Sequence, residues 1–66
     1  MANITAVIPA YNEEKTVGRV LGIAAQTIAK VVVVDDGSTD RTCEIVRSFM
    51  KKHKGVKLIR HKKNMG

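Results

Sequence analysis

Hydrophobic and polar positions alternate between two periods along the chain. Ile4 to Pro9 is a short apolar run rich in β-branched residues and ended by a proline, which predicts a strand. Asn12 can cap a following helix, with Glu13 and Glu14 in the first turn where the helix dipole favours anions. Val17, Val20, Leu21, Ala24 and Ile28 then recur at helical spacing, and Gly18 and Gly22, one turn apart, predict close packing against a sheet. Lys30 to Asp36 is the clearest strand. Its four consecutive valines do not alternate with polar residues, which predicts burial on both faces. A turn at Asp36-Gly37-Ser38 leads to a second helix, capped by Ser38 or Thr39 with Asp40 in its first turn. Ile45, Val46, Phe49 and Met50 form its apolar stripe; Lys51, Lys52, His53 and Lys54 suit its negative end, and Gly55 stops it. Val56 to Arg60 predicts a third strand, and His61 to Gly66 a polar exit.

The order is β-α-β-α-β. Right-handed crossovers predict an α/β fold with a three-stranded parallel sheet of order 3-2-1 and two helices, half of a doubly wound nucleotide-binding domain. Ligands of such sheets lie beyond the carboxyl ends of the strands, where Pro9 to Glu13 and Asp35 to Thr39 both fall.

Composition narrows the class. The 66 residues hold 12 Lys and Arg, 6 Asp and Glu, and one cysteine. The longest apolar run, Val31 to Val34, is strand-sized, and no basic segment followed by an apolar one opens the chain. Lone Cys43 reads as a small helical residue and points to a reducing, cytoplasmic setting. Charge is uneven: residues 1–40 carry 3 basic and 5 acidic groups, residues 41–66 carry 9 and 1. The basic half reads either as a solvated helix face and a lysine-protected sheet edge, or as a surface for nucleic acid or anionic membrane. Without an aromatic stacking platform, no nucleic-acid partner is expected. A chain this short buries little core, so self-association through exposed sheet edges is a further alternative.

Chemistry concentrates in the two turns. Tyr11 can stack on a nucleobase, or merely cover a helix start. The Glu13 carboxylate can accept from a ribose hydroxyl or base amino group, or only complement a dipole. Asp35 and Asp36 are adjacent on a strand and so point to opposite faces, one suited to hold the turn and one to meet a ligand; that divergence predicts no shared metal ion. His53 and His61 lack ligand spacing and read as solvated. Neither GxGxxG nor GxxxxGK[ST] occurs, which argues against a dehydrogenase or a P-loop NTPase.

The runs Val7-Ile8-Pro9-Ala10-Tyr11-Asn12-Glu13-Glu14, Val33-Val34-Asp35-Asp36-Gly37-Ser38-Thr39-Asp40-Arg41-Thr42 and Asn64-Met65-Gly66 closely resemble the start of family-2 inverting glycosyltransferases of the GT-A fold, most of all the polyprenyl-phosphate (dolichol-phosphate) mannosyl- and glucosyltransferases. The resemblance implies that Pro9, Tyr11 and Glu13 line a nucleotide pocket, that Asp36 reads the base, and that Asp35 and the Gly37-Ser38 turn support it. Asn64 and Gly66 match the opening of the segment leading to the sugar-diphosphate. The implied reaction moves a sugar from a GDP- or UDP-sugar to an acceptor such as polyprenyl phosphate, at the cytoplasmic face of a membrane, with Mg or Mn in the full-length enzyme. The family's Asp-x-Asp metal motif, catalytic base and acceptor site come later than residue 66. Residues 1–66 are therefore expected to be one partial catalytic domain, N-terminal and truncated, with no catalytic or metal-binding residue of its own and no activity alone.

Overall fold

The computed structural model describes residues 4–61; Lys62, Lys63 and the motif residues Asn64 and Gly66 lie outside the described residues. Strands β1 (Thr5–Ala10), β2 (Lys30–Asp35) and β3 (Val56–Arg60) alternate with helices α1 (Val17–Thr27) and α2 (Thr42–Lys52). The sheet is parallel throughout in the order β1-β2-β3, as expected. Its register aligns Ala6 with Val31 and Val56, and Ala10 with Asp35 and Arg60. Pro9 lies inside β1 rather than ending it. β1 is paired on one side only, where a missing N–H is tolerated.

The valine run is buried on one face, not two. Val31 and Val33 are sealed, whereas Val32 and Val34 are half-buried. Neighbouring strands repeat the alternation: Ala6, Ile8 and Ala10 face the core, and Val7 is 64% exposed and Ile59 51%. Both helices pack on the same side of the sheet and against each other, building one core around Leu21, Val33 and Val46. An unbroken apolar strand thus reports a second face that no helix of residues 4–61 covers.

α1 begins at Val17, four residues later than an Asn12 cap would place it. The Glu13 carbonyl accepts from the N–H groups of Thr16 and Val17, and the Thr16 hydroxyl donates to the Glu13 carboxylate at 3.0 Å. No acidic residue occupies the first helical turn. The helix turns Val17 and Leu21 inward and leaves Val20 42% exposed. α2 likewise starts beyond Ser38 and Thr39. Asp40 precedes it and accepts from the Thr42 N–H (2.9 Å) and hydroxyl (2.5 Å), the capping pattern. Its inward residues are Thr42, Cys43 and Val46, while Met50 is 38% exposed. His53 is half-buried and stacks on Phe49 with ring centroids 5.9 Å apart, so it is not simply solvated.

The two α1 glycines do not serve sheet packing. A Cβ on Gly18 would meet Ile45 of α2 at an ordinary 3.6 Å, and one on Gly22 would meet nothing within 4 Å. With helix-interior glycine costing about 1 kcal/mol against alanine, Gly22→Ala is expected to raise the urea midpoint by that amount of stability. An unchanged or lower midpoint would refute the open space beside Gly22.

Candidate nucleotide-binding cleft

The loops after β1 and β2 meet at the carboxyl end of the sheet, held together by side chains that reach across to backbone. Asn12 adopts a left-handed φ of 50°, a conformation asparagine tolerates better than most residues. Its Oδ1 accepts from Thr39 N–H (2.8 Å) and Asp40 N–H (3.4 Å), and its own N–H donates to Ser38 Oγ (2.8 Å). Glu13 N–H donates to Thr42 Oγ1 (2.8 Å), and Arg41 N–H to Glu14 Oε1 (2.9 Å). The main chain closes the seam, with Asp36 N–H donating to Ala10 O at 2.9 Å. The oxygen expected to cap α1 therefore joins the loops instead.

Asp35 and Asp36 divide as strand alternation requires. Asp35 is fully buried under the helices. It accepts from the Ser38 N–H at 2.9 Å and from the Ser38 hydroxyl, and it pairs with Arg60 Nε at 3.6 Å. Burial pushes its pKa up, but the Ser38 hydroxyl and N–H, then Cys43 and Arg60, outweigh burial and hold the carboxyl below the usual aspartate value. Burial and this carboxylate together raise the Cys43 thiol above its usual value, which disfavours the thiolate. Arg60 also donates to the Ser38 carbonyl at 3.0 Å, and Gly37 turns the chain at φ 82°, where glycine has no steric penalty.

Asp36 points to the other side, its side chain 60% exposed, beside His61 with Nδ1 3.5 Å from Oδ1. Here lies a cleft of about 530 Å³ lined by Pro9, Ala10, Tyr11, Glu13, Val34, Asp36 and His61. Its floor is the outer end of the uncovered sheet face, since Pro9 pairs in register with Val34. Four of the seven predicted site residues, Pro9, Tyr11, Glu13 and Asp36, line this space. Asp35, Gly37 and Ser38 lie behind it and fix the turn. Among the described residues no group of three His, Cys, Asp or Glu could hold a metal ion.

The profile of the family described as glycosyl transferase family 2 matches residues 5–66. The chain belongs to glycosyl transferase family 2. It is 52% identical over 62 residues to an uncharacterized protein of Methanocaldococcus jannaschii, covering 92% of this chain and 27% of that one. It is 37% identical over 76 residues to a dolichyl-phosphate beta-glucosyltransferase of Trichomonas vaginalis, covering 94% of this chain and 22% of the relative. A 4,4'-diaponeurosporenoate glycosyltransferase of Staphylococcus aureus is 45% identical over 49 residues, 71% of this chain and 13% of its own length. The chain thus spans about a quarter, or less, of the curated relatives it matches.

In this family-2 chain the three strands and two helices have the arrangement with which a GT-A domain starts. No helix among the described residues is long and apolar enough to cross a membrane. Three lining residues were not among the predicted site residues: Ala10, Val34 and His61. What places His61 is the strand register: Arg60 pairs with Asp35, so the residue just after the third strand stands beside Asp36.

Proposed function

We propose that this chain forms the nucleotide-binding part of an inverting transferase that moves a sugar from a nucleotide-diphospho-sugar to an acceptor, with polyprenyl phosphate at a cytoplasmic membrane face as the acceptor class. The observation that carries the reading is the cleft itself, in which an aromatic ring, two carboxylates and an apolar floor converge at the carboxyl ends of parallel strands. In it Tyr11 stacks on the base, Pro9 and Val34 lie beneath it, Glu13 accepts from a ribose hydroxyl, and Asp36 accepts from a base N–H. The name of the Trichomonas relative supports the acceptor class.

Inverting transfer also needs a general base to take the acceptor's proton and, in this family, Mg or Mn to stabilise the departing diphosphate. The described residues do not suit that ion. Both Asp35 oxygens are engaged by Ser38, and among the described residues no three His, Cys, Asp or Glu side chains come together closely enough to hold an ion. We therefore assign the metal and the base to a longer protein of the relatives' length, and expect residues 1–66 to bind without turning over. Titration calorimetry with UDP and GDP tests this reading. At least one is expected to bind, and Asp36→Asn to weaken it about tenfold to a hundredfold, the worth of a hydrogen bond to a charged group. Unaltered affinity in that variant, or silence from both nucleotides, would defeat it.

A further inference from the structure

Resting on that reading of the cleft, we infer that His61 is a specificity-determining residue: by occupying one oxygen of Asp36 it tunes the site for a uracil nucleotide over a guanine nucleotide. The contact is built into the sheet. Asp36 is pinned through its N–H to Ala10 O, and His61 through its N–H to Asp35 O, each at 2.9 Å. Cross-strand neighbours on the uncovered face, the two side chains meet with Nδ1 3.5 Å from Oδ1. An ionised carboxylate can only accept, so the imidazole N–H is the donor in this pair. Asp36 Oδ2 is the oxygen left for a ligand, and no protein donor among the described residues is bonded to it.

Base chemistry then decides. Guanine presents two neighbouring donors, N1–H and the N2 amino group, which suit both oxygens of a free carboxylate. Uracil presents one donor, N3–H, between two carbonyl oxygens that a second free carboxylate oxygen would repel. A carboxylate with one oxygen turned to a histidine satisfies uracil's single N–H and leaves one guanine donor unpaired. Unpaired polar groups discriminate far more sharply than size does. Size does not decide here, because a cleft of about 530 Å³ admits either base. Cytosine offers a lone pair at N3 and meets the carboxylate unfavourably.

Calorimetry on the full chain with UDP, GDP and CDP tests the inference. UDP is expected to bind about tenfold to a hundredfold tighter than GDP, with CDP weakest. His61→Ala, at an exposed site, is expected to collapse the UDP-to-GDP ratio towards one. His61→Asn, whose amide can donate from nearly the same place, is expected to restore most of it. A merely structural histidine would change both affinities together and leave the ratio alone. If UDP and GDP bind equally to the parent chain, or the ratio survives His61→Ala, the inference is wrong while the nucleotide-binding reading stands. If no nucleotide binds, both fall.

Discussion

Gly55→Ala is expected to lower the melting temperature by about 15 °C or more. Gly55 follows α2 and packs on the segment before β2, where a Cβ would stand 1.9 Å from the Ala29 carbonyl oxygen and 3.1 Å from its carbon. Both atoms are backbone, so no side chain can swing away. The Gly55 carbonyl also accepts from the Val31 N–H at 2.8 Å, which ties the same segment to the first residue of the central strand's core. Relieving the overlap means breaking that tie or shifting β2 against β3. Overpacking of this kind costs about 3 kcal/mol or more, against a total stability of roughly 3–10 kcal/mol for a domain this size. A circular-dichroism melt within a few degrees of the parent would contradict the close approach. The requirement is space, not backbone freedom: Gly37 is the glycine at positive φ among the described residues.

The second large effect is expected at Asp35. Truncation to alanine strands the Ser38 N–H in the interior and removes the partner of Arg60, for a loss of about 3 kcal/mol. Arg60 is 41% exposed, so the ion pair itself contributes little of this and the buried hydrogen bonds most. Asp35→Asn keeps the shape and separates charge from packing. Because the folded carboxyl titrates below the unfolded one, its contribution is complete above the unfolded value near 3.9 and drains away as pH falls through the lower folded value. Denaturant midpoints taken from pH 6 down to pH 2 are expected to drop steeply for the parent and less steeply for Asp35→Asn. A residual slope belongs to Asp40, whose burial is overcome by the Thr42 hydroxyl and N–H so that it also titrates low. Parallel acid limbs in the two proteins would show that Asp35 does not stabilise the turn through its charge.

Much of this architecture is written locally. The valine run, the turn at Asp36-Gly37-Ser38 and the apolar spacing of Val17 and Leu21 are short-range signals, and each element they predict is present, in order and in parallel. Misreadings arose wherever a distant partner took over a local role. Asn12 looks like a cap because capping needs only its own neighbours, yet its oxygen is claimed by Thr39, 27 residues away. Val31 to Val34 look buried on both faces because periodicity cannot say on which side the crossovers lie. Gly22 looks like a packing glycine because spacing does not reveal whether anything is opposite. In the site, alternation correctly separated Asp35 from Asp36. His61 required knowing the register between two strands, which the spacing of residues within one strand does not supply.

The interlocking of the two loops by Asn12, Ser38, Glu14 and Thr42 sets the position of the cleft walls through the chain's own hydrogen bonds. The entropy of arranging them is surrendered when the polypeptide folds, so a ligand of the proposed kind would spend little on reorganisation and keep more of each contact as affinity. The same latch makes the walls move as one: loosening either side, by mutation or by heat, opens the other.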